Sequence, residues 1–509
     1  MVQLDNSFLA RALASDDRLA LLAPERPACS HAELRRSAKE VVDELARLGV
    51  GRGDAVAIVM PNGPELVTIL LATMSVASAA PLNPAYTEPE LRFYLEDLNA
   101  KLLICPATGF EAARIVASSL EIPVMTVDFD VASACGVVSM TAPARTAPAT
   151  DATAHNEAGD VVLLLHTSGT TARPKLVGLS HRNIEASMAN IRSGLELGPD
   201  DTGLCVMPLF HIHGIVATVL APLSAGGSIV CTPGFNALQF FRWADAFRPS
   251  WFSAVPTMHQ AIAARAPRNA DVVERLRLRF IRCSSAAMPI VTLEALERIF
   301  DCPVIEAYGM TEAAHQITSN RLPPGVRKPG SVGWSATTRV AIIDDAGRLL
   351  GNGETGEIVI AGENIHAGYV GAPEANRTAF VDGWFRTGDQ GRLDEDGCLT
   401  ITGRLKEIIN RGGEKIAPLE LDNILLRHPD IVEAIAFAAP HAQLGEDIAA
   451  AIVRTERSRL GEDEVRAYLA DKVAAFKVPR TILFVDEIPK GATGKIQRLN
   501  LAKQMGLSE

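Results

Sequence analysis

The run Thr167-Ser168-Gly169-Thr170-Thr171-Ala172-Arg173-Pro174-Lys175 is the densest concentration of potential chemistry in the sequence. Ser168, Thr170 and Thr171 offer hydroxyl donors, Gly169 permits close backbone approach, and Lys175 adds a point charge. Such a loop is suited to phosphate oxygens. It is not a Walker A loop, because no G-x-x-x-x-G-K-[ST] string occurs. An ordinary polar turn would explain some of these residues but not the ordered string.

Five further strings carry reactive side chains. In Tyr308-Gly309-Met310-Thr311-Glu312 the ring could stack on a base, Thr311 could donate to a phosphate, and Glu312 could hold Mg²⁺ through oxygen. A core tyrosine at a strand end is the alternative. Trp384-Phe385-Arg386-Thr387-Gly388-Asp389 places a carboxylate on a tight turn, where it could accept from both hydroxyls of a ribose or merely form an Asx-turn. Gly403 to Lys415 is dense in charge and glycine: either a solvated hairpin, or a hinge followed by a ligand-approaching loop at Gly412 and Gly413. Lys495 lies in a glycine-flanked loop, Pro489 to Ile496. His211-x-His213 could bind a metal, but no third ligand has a recognisable spacing, and satisfied or substrate-facing histidines explain the pair better.

The elements that must position these residues follow from patterning. Val161–Leu165 is an apolar run that reads as a buried strand feeding the phosphate loop. Residues 8–50 read as helices, with Val41, Leu45 and Leu48 at helical spacing. Gly53–Met60 is a turn and a strand; Glu65–Ala77 is a helix with Pro64 at its first turn. Further strands are expected at Lys101–Cys105, Ser228–Cys231, Trp251–Val255, Arg279–Cys283 and Val304–Ala307. Strands alternating with helical patterns predict parallel sheets covered by helices. Residues 136–159, rich in Ala, Thr and Pro, read as a surface linker. From about 330 short strands at Val340–Asp344, Glu357–Ala361 and Cys398–Thr402 predict a small β-rich subdomain. Residues 404–509, with strands such as Val432–Ala438 and Ile448–Val453, predict a separate small α+β domain. The fold class is therefore α/β, with a large N-terminal domain over 1–403 and a C-terminal domain over 404–509. Gly351-x-Gly353-x-x-Gly356 fits a dinucleotide fingerprint but precedes a strand instead of a helix, and reads as a turn.

Bulk properties narrow the partners. The chain has 509 residues, 48% hydrophobic and 21% charged, as expected of a soluble multi-subdomain protein. With 49 Lys and Arg against 60 Asp and Glu, the formal charge is −11, which argues against nucleic acid as the main partner. Eight scattered cysteines with no C-x-x-C predict reduced, buried thiols and a cytoplasmic location. No secretory leader pattern or terminal Ser-Lys-Leu is apparent. Two uncharged stretches, Leu66–Thr87 and Leu204–Trp243 (apart from Arg242), reach the ~20 residues of a membrane span. Their Pro, Ser, Thr, Asn, His and Gly content favours buried core instead. Oligomeric state stays open between monomer and homodimer.

Taken in order from Gly53-Asp54 to Gln497-Arg498, these strings resemble the adenylate-forming superfamily, which includes acyl-CoA synthetases, luciferases and peptide-synthetase adenylation domains. The resemblance implies two half-reactions: attack of a carboxylate on ATP to give acyl-AMP and pyrophosphate, then displacement of AMP by coenzyme A. It implies that Thr167, Ser168, Gly169, Thr170, Thr171 and Lys175 hold the β- and γ-phosphates. Glu306, Ala307 and Tyr308 would line the adenine site. Thr311 would touch the α-phosphate, Glu312 the Mg²⁺, and Asp389 and Arg404 the ribose. Lys406 falls at the hinge position of a mobile C-terminal domain. Lys495 would bridge the α-phosphate and the attacking carboxylate. Gly413 would meet the pantetheine, and Lys415 either AMP or coenzyme A.

The pocket strings point to the acid. His211 and His213, Ser284-Ser285, and Met310-Thr311-Glu312-Ala313-Ala314-His315 resemble the oxalate–CoA ligase subgroup. Oxalate is a small dianion, and two imidazoles with two hydroxyls could bind its second carboxylate without an arginine. The alternatives are another short-chain, dicarboxylic or aryl acid (malonate, 4-coumarate or a fatty acid), or a module that loads a carrier protein. His213 and His315 could also merely pack beside the site.

Overall fold

The computed structural model describes residues 12–13, 16–143, 156–167, 174–491 and 494–507. Four sheets organise them. The first has seven strands in the order Ser139–Thr141, Val124–Asp128, Leu102–Pro106, Ala55–Ile58, Ser78–Pro81, Val161–His166, Leu176–Ser180. Its inner pairs are parallel and its two edge pairs antiparallel. The second has eight strands, from His315–Ser319 through Val304–Met310, Phe280–Cys283, Trp251–Ala254, Thr202–Cys205 and Ser228–Cys231 to Leu19–Leu22 and Cys29–Ser30. Again the interior is parallel and the ends antiparallel.

One apolar core joins these sheets. Its centre is the helix Pro64–Val76, every residue of which is buried, packed with Val56, Ala79 and Leu163 of the first sheet and with Ile229, Trp251 and Ile305 of the second. A helix apolar all round needs burial on all sides, which is why this uncharged stretch is core and not a membrane span. Among the described residues no helix is long and apolar enough to cross a membrane. The helix His31–Arg47 starts at Ser30, whose hydroxyl accepts the Glu33 N–H at 3.2 Å in a capping box.

The third sheet is antiparallel and contains Arg339–Ile343, Gly356–Ala361, Trp384–Leu393, Phe380–Val381 and Leu399–Arg404. The fourth, built from Ile409–Arg411, Glu414–Ile416, Ile431–His441, Gly445–Arg454 and Thr481–Phe484, has small apolar clusters of its own. All eight cysteines are buried and unpaired.

Several sequence expectations need correction. Residues 8–50 are not helical throughout: Leu19–Leu22 and Cys29–Ser30 are strands at the edge of the second sheet, and the helix His31–Arg47 follows them. The expected linker over 136–159 starts too early, because the Gly136 carbonyl accepts from the Thr68 hydroxyl at 2.6 Å within the core, and Ser139–Thr141 is an edge strand. Residues 144–155 lie outside the described set. Asp389 is on no tight turn. It lies in the ten-residue strand Trp384–Leu393, whose glycines and charged residues hide the β pattern. Tyr308 is inside its strand, which runs on to Met310.

Candidate active site

The predicted residues converge where the second and third sheets meet the C-terminal segment. Asp389 and Arg404 are directly opposite each other on adjacent antiparallel strands. The Arg404 Nε–H donates to Asp389 Oδ1 at 3.0 Å, and the Tyr308 hydroxyl donates to Oδ2 at 2.5 Å. The buried carboxylate thus gathers Tyr308 from one sheet and Arg404 from another. Its charge raises the Arg404 guanidinium further above its ordinary value. Beside Tyr308, the buried Glu306 accepts the Gly330 N–H at 3.0 Å, and burial pushes its carboxyl up to about 8. Ala307, between them, is also buried.

A tight connection of residues 311–314 joins Val304–Met310 to His315–Ser319 and places Thr311, Glu312 and His315 on one short stretch. Ala314 (φ 48°) and His315 (φ 96°) occupy the left-handed region, strain that surrounding packing must hold. Gly309 makes this possible: a methyl group there would lie 1.6 Å from the His315 carbonyl oxygen. Glu312 is buried, which raises its carboxyl above the usual range, and its Oε1 accepts from the Tyr369 hydroxyl at 3.0 Å. The Tyr369 ring also lies 4.4 Å from Lys175 Nζ, a cation–π contact. Tyr369 therefore ties Lys175 to Glu312, a link no sequence motif signalled.

The loop itself connects the antiparallel strands Val161–His166 and Leu176–Ser180. Its ends are closed by the Thr167 N–H donating to the Lys175 carbonyl at 2.9 Å. Ser168, Gly169, Thr170 and Thr171 lie outside the described residues.

Lys495 reaches the same place from the far end of the chain. Burial pulls its ammonium down to about 8, Arg404 acts in the same direction, and Asp389 and Glu312 oppose the shift. Next to it, the Gly494 carbonyl accepts from the Thr257 hydroxyl at 2.9 Å, a bond 237 positions apart in sequence. Lys406, Gly413 and Lys415 are not brought into this group. Lys406 is in the exposed turn Leu405–Glu407; Gly413 and Lys415 are exposed in the hairpin of Ile409–Arg411 and Glu414–Ile416, where the Gly413 N–H donates to Asn410 Oδ1 at 3.2 Å.

Behind the reacting positions lies a polar cradle. His213 opens a π-helix, His213–Leu220, a form that recurs at functional sites. Its Nδ1 is 3.1 Å from Ser285 Oγ, its Nε2 2.7 Å from Ser253 Oγ, and its ring stacks on His315 at 4.8 Å. The His213 N–H donates to His211 Nδ1 at 3.2 Å. Ser285 (φ 74°) is strained, and the buried Ser284 hydroxyl finds no partner among the described residues. Burial holds His213 and His315 well below the ordinary imidazole value; burial and then Lys495 draw His211 down to about 3. All three are neutral at pH 7.

One expectation about this cradle fails. It was to work without an arginine, yet Arg282 is fully buried directly behind both imidazoles. It donates through Nη2 to His315 Nε2 and Gln316 Oε1, each at 3.1 Å. Its contacts through Nη1, to Ser253 Oγ and His213 Nε2, are longer at 3.4 Å. The available signal was a lone charge inside the apolar strand Phe280–Cys283. Lone charges are seldom buried without a reason.

Among the described residues no group of three or more His, Cys, Asp or Glu side chains could hold a metal ion. A single buried carboxylate, Glu312, still fits Mg²⁺ of the kind held mostly by phosphate oxygens and water.

Comparison with known proteins is consistent over most of the chain. The family model described as AMP-binding enzyme matches residues 8–370, and that described as AMP-binding enzyme C-terminal domain matches 420–495. A probable CoA ligase, CCL9, of Humulus lupulus is 44% identical, covering 96% of this chain and 93% of its own length. The oxalate–CoA ligase of Arabidopsis thaliana is 40% identical, covering 96% and 95%. The crystal structure of ATP-bound MatB from Rhodopseudomonas palustris superposes with a TM-score of 0.87 at 28% identity, covering 98% of this chain and 97% of that one.

Proposed function

Because the chain belongs to the AMP-binding enzyme family of adenylate-forming enzymes, we propose that it is an AMP-forming acid–CoA ligase that converts oxalate to oxalyl-CoA through oxalyl-AMP. The observation that carries the acid is the His213–Ser285–His315 cradle, whose buried, neutral imidazoles and hydroxyl offer hydrogen bonds to a polar group. The 40% identity to an oxalate–CoA ligase over nearly the whole chain supports the same acid.

The chemistry follows from the placement of side chains. A free carboxylate is a poor electrophile, so it is first activated as a mixed anhydride with AMP. Asp389 and Arg404 hold the ribose hydroxyls, Glu306 to Tyr308 flank the adenine, and the segment Thr167–Lys175 takes the β- and γ-phosphates. Thr311 donates to the α-phosphate. Lys495, gathered against Asp389, Glu312 and the cradle, stabilises the negative charge that grows as the acid attacks. Glu312 would hold Mg²⁺, which when bound would screen the phosphate charges. In the second half-reaction the thiolate of coenzyme A displaces AMP. We assign residues 404–509 to a mobile C-terminal domain pivoting at Lys406, which withdraws Lys495 and brings Gly413, with Lys415 nearby, toward the pantetheine. Eight buried free thiols support a reducing, cytoplasmic location.

Pyrophosphate release with a panel of acids, coenzyme A present, tests this reading. Oxalate should give the highest kcat/KM. Far better use of malonate, 4-coumarate or octanoate would sink the substrate assignment, and acyl-AMP formation without a CoA thioester would instead mark a carrier-loading module.

A further inference from the structure

Arg282 has no carboxylate partner among the described residues, although it is fully buried; its four bonded atoms belong to neutral groups, and its Nε–H is unpartnered. A buried charge without a counter-charge is costly to keep. A guanidinium also only donates. His315 Nε2 must therefore be an acceptor, which puts the ring proton on Nδ1, where no described residue accepts it. The same holds for His213. Arg282 donates toward Nε2 and toward Ser253, so the Ser253 hydroxyl donates to Nε2, and the His213 Nδ1–H donates to Ser285 Oγ. The Ser285 hydroxyl proton is thereby released to point elsewhere. One cation at the back of the cradle thus makes the His315 Nδ1–H and, relayed through His213, the Ser285 hydroxyl into outward donors.

We infer that Arg282 is a specificity-determining positioning residue: it fixes His213 and His315 as Nδ1–H donors and supplies the buried positive charge that the non-reacting anionic group of a small dianionic acid neutralises. The inference rests on the acid–CoA ligase reading above. It explains why neutral histidines suffice to receive an anion: the charge lies one layer deeper. The other titratable groups facing the imidazole pair are His211 and Lys495, with the Cys283 thiol, protonated in its buried setting, next to Arg282.

The test compares wild type, Arg282→Met and Arg282→Lys by pyrophosphate release with oxalate and with glycolate, a monoanion of similar size. Wild-type KM for oxalate should be flat from pH 6 to pH 8. In Arg282→Met it should rise at pH 8 by about 30-fold or more, with glycolate changed less than about threefold. Arg282→Lys should fall between. Equal losses for both acids would reduce Arg282 to a packing element. If Arg282→Met does not fold, ¹⁵N-histidine spectra of the ligand-free wild type still decide: His213 and His315 should both carry the proton on Nδ1, and Nε2–H in either overturns the inference. Rejection of oxalate by the wild type would refute the acid assignment alone, since the tautomers are read without any acid.

Discussion

At the residue scale, the role proposed for Lys495 divides the two half-reactions. Lys495→Ala should slow acyl-AMP formation by about a hundredfold or more while leaving thioester formation from supplied acyl-AMP nearly intact; equal loss in both assays would refute this division of labour. Its acidity adds a pH signature. The ammonium titrates at about 8, and only the cation stabilises developing phosphate charge, so kcat/KM for the first half-reaction should fall as pH rises through 8. Most of this residue set was legible in the sequence, because short motifs keep reactive groups at fixed spacing along one strand or turn. Arg282, Ser253 and Tyr369 were not, because their meaning depends on which strand lies beside which. Ser253 and Arg282 are register partners on neighbouring strands, 29 positions apart.

At the element scale, the orientation of the C-terminal segment is held in part by one hydrogen bond, from the Thr257 hydroxyl to the Gly494 carbonyl. A net hydrogen bond is worth ~1 kcal/mol, so Thr257→Val should lower the rate of acyl-AMP formation about fivefold by depopulating this orientation. The thioester step should be unchanged or faster; a larger loss there would mean that Thr257 serves the second step instead. The strands of the parallel interiors were readable because continuous apolar runs mark fully buried strands. The strand Trp384–Leu393 was not, since Gly388 takes φ 72° within it and its exposed flank is polar. Nor was the π-helix at His213, which no periodicity distinguishes from an ordinary helix.

At the scale of the whole molecule, burial of neutral histidines makes stability depend on pH. His211, His213, His259, His315 and His366 all have imidazoles depressed by burial. In the unfolded chain each takes a proton near pH 6.5, so the unfolded state binds more protons and folding weakens as pH falls below that value. By pH 5.5 the loss is about 1 kcal/mol per histidine. Glu306, raised to about 8, works oppositely: its stabilising effect is complete below about 4.5 and is lost as pH rises through 8. These histidines, joined by His31, outweigh the raised carboxyls of Glu306, Glu312 and Asp422 in the acid range, and Tm should drop between pH 7 and pH 5.5. A flat Tm there would show that these imidazoles are hydrated or charged in the native state.

The distribution of sulfur gives the molecule an internal clock. The last of the eight buried cysteines is Cys398, so residues 404–509 contain none. Alkylation by N-ethylmaleimide should therefore be blind to rearrangements of the C-terminal segment, however often the enzyme turns over. It should begin only when the large domain opens, counting from zero toward eight in urea. Mass spectrometry of the alkylated chain would then time the opening of the scaffold separately from the proposed motion of the C-terminal segment. Labelling that tracks turnover would mean the two are one motion.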